Sequence, residues 1–173
     1  MRIESCNPDS SATAILEIFN DAILNTTALY EYRARTREQV LDWFRGKDEG
    51  GWPVLGAFDD SGQLLGFASF GPFRPYPANK YTVEHSVYID PAHRGKGVAK
   101  MLLQRLIDEA RAREYHVMVG AIDADNAVSI RLHEAFGFVH AGTIRQAAFK
   151  FGRWLDLAFY QLTLETPLQP LDG

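Results

Sequence analysis

Residues 81–100 read YTVEHSVYIDPAHRGKGVAK. The first nine are mostly β-branched or aromatic and predict a strand, and the Asp-Pro pair after them marks a turn. Apolar residues at helical spacing then predict a long helix from Val98, with Gly95 and Gly97 standing where it begins. The order of strand, turn, glycines and helix predicts an anion-binding helix N-terminus behind a strand that carries one carboxylate, Glu84.

The glycine-rich turn is the first candidate ligand site. Its glycines allow the main-chain amides of residues 95–97 to face one point, and Arg94 and Lys96 add positive charge. A helix start that simply needs glycine, flanked by solvated basic residues, would produce the same pattern. The P-loop pattern is absent, and a dinucleotide fingerprint would need glycine where Lys100 stands. The segment instead fits the R-x-x-G-x-A/G signature of acetyl-CoA binding.

The whole chain has the composition of an ordinary folded protein. Its 173 residues, 46% apolar and 23% charged, are predicted to form one domain spanning 1–173. A net charge of −4 without blocks of like charge argues against nucleic-acid binding. Cys6 is the one cysteine, so no intramolecular disulfide can form. No apolar run could span a bilayer and the start lacks the apolar core of a signal peptide, which predicts a cytoplasmic protein.

Periodicity along the chain predicts an α+β fold. A first helix is expected around residues 15–23, capped by Ser10 or Ser11, and a capping box from Thr36 to Gln39 starts a second helix ahead of the sheet. Strands are expected at residues 52–58, 63–70, 81–89, 116–122, 138–143 and 154–164, with a short helix at 126–136. Alternating strands and helices in the middle require a parallel pair, whereas terminal hairpins are antiparallel. The expected class is α+β, loosely α/β, with one mixed, mostly antiparallel sheet flanked by helices.

Four segments resemble the GCN5-related N-acetyltransferases, and within them the phosphinothricin or methionine sulfoximine acetyltransferase group. They are residues 82–89 (TVEHSVYI), residues 94–99 (RGKGVA), Asn126 with residues 129–138 (SIRLHEAFGF), and residues 150–157 (KFGRWLDL). Their order and spacing cover most of the chain from Phe70 onward. The resemblance implies an acetyl-CoA-dependent N-acetyltransferase that forms a homodimer; the sequence indicates no metal site.

The resemblance also implies where acetyl-CoA binds. Its pantetheine amides are expected along the backbone of Val87, Tyr88 and Ile89, and its diphosphate at Arg94, Gly95, Lys96, Gly97, Val98, Ala99 and Lys100. Asn126 and Ser129 are expected to contact the cofactor, although an N-cap and a first-turn polar residue would explain both without a ligand. Glu84 lies five residues before Ile89, roughly 16 Å along a strand, a gap that an extended pantetheine arm could span.

Acetyl transfer to an amine needs a proton acceptor and a proton donor. Glu84 is the predicted general base because a charge interrupts an otherwise apolar strand; a salt-bridged surface carboxylate is the alternative. His133 is the second predicted catalytic residue. It occupies the slot in which many members of the superfamily have a tyrosine that protonates the departing thiolate, and it could instead relay a proton for Glu84.

The acceptor substrate is predicted to contact Phe73, Arg74, Pro75, Val83, Glu84 and His85. A guanidinium in a loop stiffened by prolines suits the carboxylate or phosphinate of an amino acid, although an exposed loop arginine is commonly only solvated. The predicted substrate is a small amino acid of the phosphinothricin, methionine sulfoximine or methionine sulfone type. Acetylation of a polyamine, an aminoglycoside or a protein N-terminus is an alternative, and so is a non-catalytic acyl-CoA sensor.

Overall fold

The structure, a computed structural model, describes residues 1–172. Its elements in chain order are β1 (Arg2–Ser5), α1 (Pro8–Asn25), α2 (Arg37–Glu49), β2 (Val54–Phe58), β3 (Leu64–Pro72), β4 (Thr82–Ile89), α3 (Val98–Ala112), β5 (Val117–Asp123), α4 (Ala127–Ala135), β6 (Val139–Lys150) and β7 (Arg153–Thr163). Single 3₁₀ turns at Pro77–Asn79 and Pro91–His93 flank β4.

The strands form one sheet in the order β1-β2-β3-β4-β5-β7-β6. Strands β4 and β5 are parallel, whereas β1–β2, β2–β3, β5–β7 and β6–β7 are antiparallel. The long helix supplies the crossover between the two parallel strands, as parallel pairing requires. The predicted α+β class with a mixed, mostly antiparallel sheet is therefore confirmed.

The chain divides into two compact units, the first made of Met1–Gly71 and Ser86–Leu106. Its core is aromatic: Phe19 of α1 packs edge-on against Phe67 of β3 and Trp43 of α2, with ring centroids 4.9 and 5.3 Å apart. The predicted capping box at the start of α2 is confirmed, since the Thr36 hydroxyl accepts from the Gln39 N–H and the Gln39 side chain accepts from the Thr36 N–H.

The second unit is made of Pro72–His85 and the residues from Ile107 onward. Central strand β5 pairs with β4 through residues 117–120 on one side, and with β7 over its whole length on the other. Met118 and Leu155 are completely buried and Phe138 is 2% exposed, so the sheet has a solid apolar face in this unit. Five of the seven residues of β5 are buried.

The prediction for the N-terminal region was wrong in two respects. Strand β1 precedes the helices; its four residues are mostly exposed, so no apolar alternation marks it in the sequence. Helix α1 begins at Pro8, and its N-cap is Asn7, whose side chain accepts from the Asp9 N–H at 2.8 Å, rather than Ser10 or Ser11. Proline at the first helical position needs no hydrogen-bond partner, which explains the earlier start.

The predicted end of β6 at residue 143 was also wrong, because the strand continues to Lys150. Two bulges interrupt its pairing with β7, one between His140 and Gly142 and one between Ile144 and Ala148. The second bulge contains Gln146, with φ of 54°, whose N–H donates to the Asp156 carboxylate. Bulges disturb the two-residue period, so the sequence pattern hides the second half of the strand.

Two further findings concern membranes and metals. None of the helices within residues 1–172 combines the length and apolarity that crossing a bilayer requires. In the same part of the chain, no three His, Cys, Asp or Glu side chains gather in an arrangement that could hold a metal ion.

Candidate active site

The turn before α3 has the backbone that its glycines predicted. Gly95 and Gly97 have φ of 74° and 81°, in the left-handed region that side chains disfavour. The Met101 N–H donates to the Gly97 carbonyl, so the helix begins here and the amides of residues 98–100 have no acceptor within it. A Cβ added at either glycine would meet nothing within 4 Å. The turn therefore leaves open space in front of free amides, which fits an anionic group.

The basic residues of this turn differ in their pairing. Arg94 forms an ion pair with Asp21 of α1, a partner 73 positions away that no local pattern could reveal. Lys96 and Lys100 are exposed, and neither makes an ion pair within residues 1–172. Lys96 and Lys100 are therefore the side chains most available to form ion pairs with a bound anion.

Side-chain and backbone packing fix the position of the C-terminal end of β4. The Tyr88 ring packs in the aromatic core at 5.2 Å from Phe19, so a ligand beside residues 87–89 would contact their backbone. A Cβ on Gly66 would lie 2.8 Å from the Tyr88 carbonyl oxygen, which shows how closely the two chain segments approach. The Asp90 carboxylate then accepts from the Ala92 N–H and fixes the turn that leads to the glycines.

Glu84 lies in the middle of β4 and is half-buried. Its carboxylate makes no hydrogen bond within residues 1–172. Burial raises the pKa of this carboxyl above its ordinary value, and the charge of Arg74 offsets part of that rise. A carboxylate with a raised pKa and no fixed partner is chemically suited to act as a proton acceptor.

The loop between β3 and β4 places Arg74 near Glu84. The Phe73 N–H donates to the Thr82 carbonyl at 3.3 Å, and a 3₁₀ turn at Pro77–Asn79 completes the loop. The Arg74 guanidinium lies over the Phe73 ring, 5.4 Å from its centroid, and forms no ion pair within residues 1–172. Pro75, next to it, is exposed. The loop thus presents a charged group that a carboxylate could bind.

His85 of β4 and His133 of α4 form a buried pair. Their Nε2 atoms are 3.1 Å apart, and their stacked rings have centroids 5.0 Å apart. Phe138 packs edge-on against both rings. A Cβ on Gly120 would lie 3.0 Å from the His85 Nε2 and 3.1 Å from His133, so a glycine at this point of β5 leaves room for the pair.

Hydrogen-bond geometry determines which nitrogen of each ring carries hydrogen. Nδ1 of His133 is 2.7 Å from the Ser129 carbonyl oxygen and donates to it, because a carbonyl can only accept. In the neutral ring Nε2 of His133 is then an acceptor, so Nε2 of His85 donates to it. Nδ1 of His85 is left as a buried acceptor without a hydrogen-bond partner within residues 1–172. Burial lowers the pKa of both imidazoles, which favours the neutral pair.

Glu84 and the histidine pair lie on opposite faces of the sheet. Successive side chains of a strand alternate, so Val83 and His85, 0% and 8% exposed, project away from Glu84. His133 contacts His85 and lies on that far side as well. The structure consequently does not bring Val83, His85 or His133 to the Glu84 carboxylate, although the sequence prediction grouped Val83 and His85 with it in one pocket.

Asn126 and Ser129 occupy the start of α4. The Asn126 side chain is the N-cap and accepts from the Ser129 N–H at 3.1 Å. The Ser129 carbonyl in turn orients His133. Both residues therefore have a local structural role, which is compatible with a further contact to a ligand.

Comparison with known proteins identifies the family to which the chain belongs. The acetyltransferase (GNAT) family matches residues 14–138. The chain is 46% identical, over 93% of its length and 94% of the relative's, to L-methionine sulfoximine/L-methionine sulfone acetyltransferase of Salmonella typhimurium.

Two solved structures are similar throughout. One is yncA of Salmonella typhimurium with its cofactor acetyl-CoA, at a TM-score of 0.93 and 45% identity over 98% of this chain and 97% of the other. The second is a GNAT superfamily phosphinothricin acetyltransferase from Sinorhizobium meliloti in complex with acetyl-CoA, at a TM-score of 0.94 and 33% identity over 99% of this chain and 94% of the other. Together with the family match, these likenesses show that the chain belongs to the acetyltransferase (GNAT) family and is an N-acetyltransferase.

Proposed function

We propose that this N-acetyltransferase transfers the acetyl group of acetyl-CoA to the α-amino group of a small amino acid of the methionine sulfoximine, methionine sulfone or phosphinothricin type. The observation that carries the proposal is the half-buried Glu84 carboxylate, with its raised pKa and with Arg74 as its charged neighbour. The relatives named for these amino acids, which match about nine-tenths of the chain or more, support the choice of acceptor.

In the proposed reaction Glu84 accepts the proton that the acceptor's ammonium loses, directly or through one water molecule. The free amine attacks the thioester carbonyl and an N–C bond forms. The C–S bond then breaks, and the leaving thiolate takes a second proton from the attacking nitrogen, which becomes the amide nitrogen. Transfer is direct within a ternary complex, since burial raises the pKa of the Cys6 thiol to about 12 and makes it a poor nucleophile.

Acetyl-CoA is proposed to bind at the turn before α3 and along the end of β4. The free amides that follow Gly95 and Gly97 would hold the diphosphate, with Lys96 and Lys100 adding charge. The backbone of residues 87–89 would pair with pantetheine amides, much as an added strand does. Asn126 and Ser129 are proposed as further contacts to the cofactor.

The sequence predicted His133 as a second catalytic residue, either the acid for the leaving thiolate or a relay for Glu84. Its Nδ1–H donates to the Ser129 carbonyl and its Nε2 accepts from His85, on the face of the sheet opposite Glu84. We propose instead that His133 positions β4 against α4 through His85, and that the reaction on the Glu84 face takes no proton from it.

Replacing Arg74 by alanine is expected to raise the KM for the amino acid about tenfold or more, with little change in the KM for acetyl-CoA. The reason is that the guanidinium makes no ion pair within residues 1–172 and can bind the acceptor's carboxylate bidentately. Steady-state kinetics with each substrate varied in turn measures the effect, and Arg45→Ala, on the exposed face of α2, is the matched control. An equal rise in both KM values would remove Arg74 from the acceptor site.

One assay distinguishes an amino acid acceptor from the alternative acceptors. Coenzyme A release is measured with acetyl-CoA and a panel of amino acids, methionine sulfone, methionine sulfoximine, phosphinothricin, polyamines and aminoglycosides. Turnover on the amino acids alone supports the proposal, because Arg74 would repel a polycation. Turnover on polyamines or aminoglycosides alone contradicts it, and acetyl-CoA binding without turnover on any amine would favour the acyl-CoA sensor.

The proposal includes a homodimer and a cytoplasmic location. Strand β6 is at the edge of the sheet, and the β6–β7 hairpin exposes Phe149, Phe151 and Trp154, whose exposed fractions are 46, 57 and 57%. Exposed apolar clusters of this kind commonly mark interfaces. A reduced, free Cys6 is compatible with the cytoplasm.

The Trp154→Glu variant is expected to shift the protein from dimer to monomer, because it places a charge in the proposed apolar interface. Sedimentation equilibrium at micromolar concentration measures the mass directly. Leu24→Glu, at an exposed site of α1, should leave the mass unchanged. A dimer of unaltered affinity in Trp154→Glu would place the interface elsewhere.

A further inference from the structure

A cleft of about 260 Å³ lies on the face of the sheet that carries Glu84. Its lining is mostly apolar and includes two side-chain amides, those of Asn79 and Gln161. The lining residues are Phe73, Asn79, Thr82, Val117, Val119, Ala141, Phe159 and Gln161. Ala141 is the extra residue of the first β6 bulge, and Phe73 and Asn79 come from the loop that carries Arg74.

Strand register places this cleft beside Glu84. Glu84 pairs with Val119 of β5, and Val119 pairs with Gln161 of β7, so these three residues form one row across three neighbouring strands. Paired residues project from the same face, and adjacent strands are about 4.8 Å apart. Gln161 is therefore roughly 10 Å from Glu84, measured between backbones.

The side-chain amides of the cleft have no hydrogen-bond partner among the described residues. Neither Asn79 nor Gln161 makes a side-chain hydrogen bond within residues 1–172, and both are only partly exposed. An amide side chain offers two donors and one acceptor. Polar groups that stand unpaired at the edge of an apolar cleft beside a reactive carboxylate are suited to fix the orientation of a ligand.

We infer that this cleft binds the side chain of the acceptor amino acid, and that the Gln161 amide donates a hydrogen bond to an oxygen or imino nitrogen on it. The inference rests on the proposed function, because it places the acceptor's α-amino group at Glu84. From the α-nitrogen to a sulfone oxygen, the fourth atom of an extended side chain, is about 6 Å. A hydrogen bond of about 3 Å at each end gives about 12 Å, comparable with the roughly 10 Å between the backbones of Glu84 and Gln161, whose side chains project from the same face.

This placement explains a preference for oxidised sulfur side chains. A sulfone or sulfoximine offers strong hydrogen-bond acceptors at the fourth atom, whereas methionine has only its thioether sulfur, a weak acceptor at the third atom. The apolar lining would accept the methylene groups of either side chain. Discrimination then comes from the donor at Gln161, whose amide would stay unpaired with methionine.

The test compares L-methionine sulfone with L-methionine as acceptors for wild-type enzyme and Gln161→Met. Methionine at this position keeps the length of the side chain and removes the amide. The ratio of kcat/KM for the sulfone to kcat/KM for methionine is expected to fall about tenfold, mainly through KM for the sulfone, with KM for acetyl-CoA unchanged. Gln161→Glu, which cannot donate, should lower the ratio at least as much, and Gln63→Met in the exposed β2–β3 turn should leave it unchanged.

The outcomes separate the inference from the function on which it rests. An unchanged ratio in both Gln161 variants, or an equal loss on both amino acids, overturns the assignment of Gln161 and leaves the proposed function standing. If Gln161→Met is unstable, Gln161→Glu decides alone. Wild-type enzyme without activity on any amino acid would overturn the proposed function and the inference together.

Discussion

The Glu84→Gln variant is expected to lose about 100-fold in kcat at neutral pH while its affinity for acetyl-CoA stays within twofold of wild type. Glutamine has the shape of glutamate but cannot take the proton from the acceptor's ammonium, and positioned bases contribute on the order of 10²–10⁴ in rate. The proposed acetyl-CoA contacts involve other residues, so binding should survive. Steady-state kinetics and calorimetric titration of acetyl-CoA measure the two quantities.

The pH profile makes the same prediction more specific. The base acts as a carboxylate, so wild-type kcat/KM should be lost as pH falls through the pKa of Glu84, which burial places above the ordinary glutamate value. This acidic limb should disappear in Glu84→Gln. Glu134→Gln, at an exposed position of α4, should keep both the rate and the limb. A Glu84→Gln enzyme with wild-type turnover would remove Glu84 as the base.

The Gly97→Val variant is expected to raise the dissociation constant of acetyl-CoA about 100-fold. Valine disfavours the φ of 81° found here, and its branched side chain would occupy the open space in front of the free amides. Each lost contact to a doubly charged diphosphate weakens binding severalfold. Calorimetric titration of coenzyme A and of acetyl-CoA measures the loss.

A matched variant separates backbone strain from the loss of the ligand site. Gly62 in the β2–β3 turn has φ of 87° and equally open surroundings. Gly62→Val should therefore lower the free energy of unfolding by a similar amount, of order 1–2 kcal/mol, without affecting acetyl-CoA binding. Tight binding by Gly97→Val would show that the diphosphate does not lie at this turn.

Features with short-range causes were predictable from the sequence. The capping box at Thr36 depends on residues three positions apart, and the positive φ of Gly95 and Gly97 follows from the need to turn sharply into a helix. The long helix was visible through its apolar period, and strand β5 through its run of apolar residues at 117–122. These features define the anion-binding turn, which is why that part of the site was the easiest to predict.

Features that depend on distant residues were not predictable. The Arg94–Asp21 ion pair joins residues 73 positions apart, and the His85–His133 contact joins residues 48 apart. The alternation of side chains along a strand, in contrast, can be read from the sequence and predicts which residues share a face of the sheet. Because neighbouring side chains of a strand project from opposite faces, the order Val83-Glu84-His85 is enough to divide the predicted pocket between the two faces of the sheet.

The most direct test of the account is a crystal structure of the enzyme with coenzyme A and L-methionine sulfone bound together. The quantity to measure is the distance from the α-nitrogen of the sulfone to the Glu84 carboxylate. We expect about 3 Å, or one bridging water, with the diphosphate against the amides of residues 95–99. An α-nitrogen on the His85–His133 face of the sheet, or a diphosphate bound away from this turn, would contradict the account.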